Sequence, residues 1–143
     1  MTFDKNCKIF VSYCNEMRSI EITIQELTIK SKTDLDDKIK FNAAAMSIFQ
    51  AINRSIDLAD EIIVECKLTT PFGYKETFEI LLKEKIIDET LSKKMTDFVY
   101  YRNLISHEYY QITKKDIEKL KSMSKYIRDF VRVMKEFVQK HSL

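Results

Sequence analysis

Glycine and proline each occur once in 143 residues, tryptophan is absent, and histidine appears only twice. So little glycine and proline leaves scant material for the tight turns that join β-strands, and no stretch of strand-like alternation is bounded by turn residues. Sheet architectures are thereby set aside, and an all-α fold is expected. No apolar run approaches the roughly 20 residues of a membrane span. The start, Met1-Thr2-Phe3-Asp4-Lys5, lacks the basic-then-apolar order of a secretory leader, so a cytoplasmic protein is expected. The cysteines, Cys7, Cys14 and Cys66, are odd in number and form no CxxC pair; they read as small buried hydrophobes in a reducing compartment. With His107 and His141 the only histidines, ligands for a metal centre are lacking, and neither metal nor cofactor is expected.

What is present is charge, unevenly spread, and helical periodicity. Residues 113–143 hold nine Lys/Arg against four Asp/Glu, a local +5, while the remainder holds fifteen against eighteen, or −3, for a net +2. The basic C-terminal stretch can draw in a polyanion through screened electrostatics, or simply form a solvated helix face. A chain of this length suits one domain, residues 1–143.

The spacing predicts a first helix over Asp4 to Ile29, with Phe10, Tyr13, Met17, Ile20, Ile24 and Leu27 as its seam. Thr33-Asp34-Leu35-Asp36 resembles a capping box for a second helix reaching about Lys67. That helix carries the apolar stripe Ala45, Phe49, Ile52, Ile56, Ala59, Ile63 and Cys66, with Asn53, Asp57, Asp60 and Glu61 as its polar groups. Asp57 and Asp60 could suggest a metal or acid/base pair, but with no histidine at helical spacing a solvated or ion-paired role is favoured. Thr69-Thr70-Pro71-Phe72-Gly73-Tyr74 must turn the chain into a short helix from about Lys75 to Lys85. Asp88 can cap a fourth helix and Thr113 a last one, whose seam is Ile117, Leu120, Ser124, Ile127, Val131, Met134 and Val138. Phe49, Phe98, Phe130 and Phe137 lie on these stripes as core residues. The result is an antiparallel bundle of four long helices and one short one.

The chemistry is concentrated in Tyr100-Tyr101-Arg102-Asn103-Leu104-Ile105-Ser106-His107-Glu108-Tyr109-Tyr110, at the end of the fourth helix. Asn103 and His107 fall on one helical face, whereas Arg102 and His107 diverge by roughly 140° on a continuous helix. Fraying near Ser106 would let His107 and Tyr109 fold back beside Arg102. A permanent cation next to an imidazole that titrates near neutrality suits work on a phosphate. The other reading of the same residues is a helix C-terminus tied to its loop by positive groups.

Arg102, His107 and Tyr109 reproduce the R-x4-H-x-Y pattern of HEPN-domain ribonucleases. The stretches Ser55 to Asp60, Pro71 to Phe78 and Ile86 to Leu91 are similar, in order and spacing, to the HepT branch, the toxin partner of MNT/HEPN toxin–antitoxin pairs. The resemblance covers nearly the whole chain. It implies a HEPN-like bundle, homodimeric, with two R-x4-H motifs in one cleft, and metal-independent endoribonuclease cleavage of RNA. His107 would then serve as acid and base, Arg102 would stabilise the transition state, and Asn103 would orient His107 or the phosphate. The resemblance also implies a nucleotidyltransferase antitoxin that attaches AMP to the motif tyrosine, Tyr109 or alternatively the adjacent Tyr110. A different class of function also fits: a non-catalytic helical adaptor that docks a nucleotidyltransferase and binds nucleotide through Arg102 and His107. Cleavage of RNA in metal chelator, lost on substitution of His107, would separate the two.

Overall fold

Asp37 opens the first of four helices in the computed structural model, which describes residues 35–141. Its carboxylate accepts the backbone N–H groups of Ile39 (2.8 Å) and Lys40 (3.3 Å), satisfying donors that the first turn leaves unpaired. The cap therefore falls at Asp37; Thr33, where the capping box was expected, lies outside the described residues. So do the expected first helix, Cys7 and Cys14. The elements that follow are α1 (Lys38–Glu65), α2 (Tyr74–Lys83), α3 (Glu89–His107), a 3-10 turn (Tyr109–Gln111) and α4 (Lys114–Lys140). Every element among the described residues is helical, as the composition requires.

A chain with one glycine must end its helices without it. Lys67 and Lys85 occupy left-handed backbone at φ 56° and 61°, the position glycine usually fills. After α1, Leu68 N–H donates to Ile63 O (2.9 Å) and Lys67 N–H to Val64 O (3.0 Å). After α2, Ile86 N–H donates to Leu81 O and Lys85 N–H to Leu82 O, both at 2.9 Å. These paired bonds absorb the last carbonyls and hold the lysines there, against a steric cost of about 1 kcal/mol each. They also stop α1 at Glu65 and α2 at Lys83, each two residues before the expected ends. The single glycine, Gly73, is the extended N-cap of α2 (φ −164°), which starts that helix at Tyr74.

Asp88 caps α3 by accepting Leu91 N–H (2.8 Å), and Thr113 with Asp116 forms a reciprocal capping box at α4. Every residue of the expected α4 seam is buried. Phe78, Phe98 and Phe130, one from each of α2, α3 and α4, are fully enclosed, and the rings of Phe78 and Phe130 meet edge to face at 5.6 Å. Ile48, Ile52, Ile56 and Ile63 of α1 close the same core. Phe98 and Phe130 are thus core as expected, while Phe49 and Phe137 are only partly buried at its edge. Cys66 is half-buried and unpaired, and burial pushes its thiol up. Among the described residues no helix is long and apolar enough to cross a membrane.

Candidate active site

Arg102 lies on α3 one turn before the helix ends, and its guanidinium is held from several sides. Its Nε–H donates to Asn53 Oδ1 on α1 at 2.8 Å, and Nη1 donates to Asn103 Oδ1 at 3.2 Å. The ring of Tyr74, first residue of α2, lies 4.7 Å from the guanidinium carbon, and the ring of Phe49 on α1 lies 5.4 Å away. Amide acceptors fix the plane of the fork, and ring faces favour the cation over them. Tyr74 is positioned by the local geometry of its own loop: Glu76 accepts Phe72 N–H (3.0 Å) and Gly73 O accepts Thr77 N–H (3.2 Å). With Nε and one Nη1 hydrogen engaged, the remaining donors of the fork have no partner among the described residues and can meet an anion.

His107 is the last residue of α3, and its side chain is exposed with no partner among the described residues. The helix does not fray at Ser106: Glu108 N–H still donates to Leu104 O at 2.8 Å. His107 consequently does not fold back onto Arg102, and on a continuous helix the two point roughly 140° apart. Asn103 contacts Arg102 rather than His107.

The two tyrosines after the helix differ sharply. Tyr109 opens the 3-10 turn, donates its phenol hydrogen to Asn42 Oδ1 on α1, and sets its ring 6.4 Å from that of Phe41. Burial raises its phenol above the ordinary tyrosine value, so it is a neutral group at working pH. Tyr110 is 83 % exposed, its oxygen accepting only Gln111 Nε2–H at 3.3 Å.

Asn42, Met46, Phe49 and Asn53 follow one another on α1 at spacings of four, three and four, a single helical face. That face and the C-terminal end of α3 bound a groove, with the Asn53–Arg102 bond toward one end and the Asn42–Tyr109 bond at the other. Between them lies a cavity of about 430 Å³ lined by Asn42, Met46, Phe49, Ile105, Ser106 and Tyr109.

The sequence pointed to Arg102, Asn103, His107 and both tyrosines but missed Asn53, Phe49 and Tyr74 as partners of the arginine. Asn53 was placed simply among the polar groups of its helix, and Phe49 in the core. The available signal was the second stripe on α1, offset from the core stripe and ending in asparagines. Of the paired carboxylates, Asp60 accepts Thr77 Oγ1–H at 2.9 Å. Burial is the main cause raising its carboxyl, and the neighbouring Asp57 adds to it. No group of three metal-ligating side chains forms among the described residues. On α4, Lys119 and Lys125 rest over Tyr101 and Tyr126, and Arg132 pairs with Asp129 and Glu136 on the solvent face.

A helical bundle that presents a caged guanidinium, an exposed imidazole and two tyrosines at one helix end is a candidate phosphodiester-handling protein. The profile of the HepT-like ribonucleases matches residues 13–140, and the chain belongs to that family. Its fold is that of solved HEPN toxins. It is similar to the tri-AMPylated Shewanella oneidensis HEPN toxin in complex with MNT antitoxin (TM-score 0.82, 18 % identity, 91 % of this chain and 98 % of that one). It is also similar to a toxin–antitoxin crystal structure with AMP-PNP (TM-score 0.81, 17 % identity, 87 % and 97 %). A third likeness is to YutE of Bacillus subtilis, a cytosolic protein of unknown function (TM-score 0.83, 19 % identity, 98 % and 94 %). At these identities the likeness is one of fold. No curated protein matches the chain by sequence. The all-α, HEPN-like fold and the HepT family expected from the sequence are therefore the ones found.

Proposed function

We propose that this chain is the toxin of a toxin–antitoxin pair, an endoribonuclease that cuts RNA through Arg102 and His107. The observation that carries the reading is the caged guanidinium: its Nε is tied to Asn53, one Nη1 hydrogen to Asn103, and two ring faces lie against it, while its other donors have no partner among the described residues. Such an orientation costs nothing at the moment charge grows on a phosphate. RNA brings its own nucleophile, the 2′-hydroxyl. As the 2′-oxygen attacks phosphorus, a base takes its proton; the bond to the 5′-oxygen breaks and an acid protonates that leaving oxygen. The products are a 2′,3′-cyclic phosphate and a 5′-hydroxyl, and no metal enters the scheme. His107 is the exchanger of protons and Arg102 the counter-charge.

Because α3 separates Arg102 from His107 around its axis, a site using both is best assembled from two chains. A symmetric homodimer pairing the α3 ends would set the arginine of one against the histidine of the other. The partner for regulation is an MNT-type nucleotidyltransferase, which would attach AMP to Tyr109, or alternatively Tyr110. Tyr109 stands at the opposite end of the groove from Arg102, so AMP on its oxygen would silence the site by bulk, its nucleotide obstructing the groove along which RNA reaches the arginine. Its neutral phenol is not the acid or base, so Tyr109→Phe should remain an active nuclease yet escape silencing.

The test is cleavage of a mixed RNA substrate in metal chelator. Wild-type protein should yield fragments ending in cyclic phosphate, and His107→Ala none. The absence of cleavage by either would leave the non-catalytic adaptor, and His107→Ala cleaving at the wild-type rate would remove the mechanism. For the modification, intact mass after incubation with the antitoxin, ATP and magnesium should show AMP on the wild type. AMP on a Tyr109→Phe, Tyr110→Phe double variant would place the acceptor elsewhere.

A further inference from the structure

The cavity beside the motif is not needed to hold a phosphate. At about 430 Å³ it falls within the range of small-molecule sites, and its make-up is that of such a site: Met46, Phe49 and Ile105 as apolar walls, Asn42, Ser106 and Tyr109 as polar groups. Two relations tie it to Arg102. Ile105 and Ser106 follow Arg102 by three and four residues, so they are its neighbours on the same face of α3. Phe49 belongs to both, lining the cavity while its ring lies 5.4 Å from the guanidinium carbon.

We infer that this cavity is a nucleobase subsite, which takes an unpaired base of the RNA strand whose phosphate Arg102 holds. The inference rests on the nuclease reading for its ligand. Phe49 and Tyr109 supply the aromatic surfaces on which an unstacked base lies. Among the described residues the Asn42 amide has no acceptor for its N–H donors while its oxygen accepts the Tyr109 phenol, and the Ser106 hydroxyl can both donate and accept. Those groups can read a base edge, and a paired base cannot present its edge there. The subsite therefore selects single-stranded segments and makes Asn42 and Ser106 specificity-determining residues.

The experiment compares adenosine 5′-monophosphate with ribose 5-phosphate, which carries the same phosphate without the base, by calorimetry on the whole chain. A subsite predicts that the nucleotide binds at least about tenfold tighter, the scale of base–aromatic stacking. Met46→Trp should fill the cavity and erase that preference. Because an indole at position 46 can swing into solvent, Ser106→Leu closes the cavity from α3 and should do the same. Equal affinity for the two ligands, or a preference that survives both substitutions, overturns the inference. A change of oligomeric mass on Met46→Trp also overturns it, by making a second copy of the chain the occupant. Wild-type cleavage of RNA without a base preference would sink the subsite alone. A base preference without cleavage would keep the subsite and sink the nuclease reading.

Discussion

The two halves of α3 are made of the same helix and serve opposite ends. In the first half Leu91, Met95 and Phe98 point into the core, and Asp88 caps the start. In the second half Tyr100, Asn103, Ser106 and His107 are exposed, and Arg102 spends its hydrogen bonds on Asn53 and on its neighbour Asn103. Burial of apolar area decides what the first half does; the second half also buries Tyr101 and Ile105, but what it adds is the orientation of polar groups. The difference teaches that stability and chemistry can be separated along one element, because the polar half borrows its rigidity from α1 and α2.

That separation can be broken by substitution. Phe98→Ala should cost about 3–5 kcal/mol through a cavity in the core, read as a lowered denaturation midpoint. His107→Ala should leave the midpoint within about 0.5 kcal/mol of wild type, since surface side chains without partners contribute little. It should nonetheless remove RNA cleavage by about a hundredfold or more, the scale of lost acid–base catalysis. A midpoint that fell as far for His107→Ala as for Phe98→Ala would erase the contrast between the halves.

Asn53→Leu tests the borrowed rigidity. Without its acceptor the Arg102 fork is less fixed, and cleavage should fall about tenfold with a much smaller loss of stability. Asn53→Gln, which keeps a carbonyl acceptor, should recover part of the activity. Wild-type cleavage by Asn53→Leu would show that the ring contacts alone hold the arginine.

The contrast explains what the sequence could disclose. The α4 seam and the caps at Asp88 and Thr113 were legible because each depends on neighbours a few residues away. The end of α3 stood out because its residue types cluster. The cage around Arg102 was not legible: Asn53 is 49 residues away, and Tyr74 is brought to the arginine only by the packing of α2. The stripe Asn42, Met46, Phe49, Asn53 was present in the spacing but merged with the adjacent core stripe, since methionine and phenylalanine fit either. Helix ends were overrun by two residues because lysine gives no hint of left-handed backbone, where glycine would have.

The smallest effect concerns Asp60, outside the proposed site. Burial raises its carboxyl above the ordinary aspartate value, with the Thr77 hydrogen bond opposing and Asp57 adding. A raised folded value means the neutral form suits the fold. Its contribution is therefore full below the unfolded pKa of about 3.9 and is lost as pH rises through the folded value. Asp60→Asn is neutral throughout and still accepts from Thr77. It should raise the midpoint slightly at pH 7, with the advantage shrinking as pH falls toward about 4. An unchanged advantage at acid pH would assign it to packing instead.

The most direct measurement bears on the two-chain site, and it is made on a mixed dimer of one Arg102→Ala chain and one His107→Ala chain, each inactive alone. If each site joins Arg102 of one chain to His107 of the other, one of the two sites in the mixed dimer is intact, and about half of the wild-type cleavage returns. A mixed dimer as inactive as its parents would contradict the account.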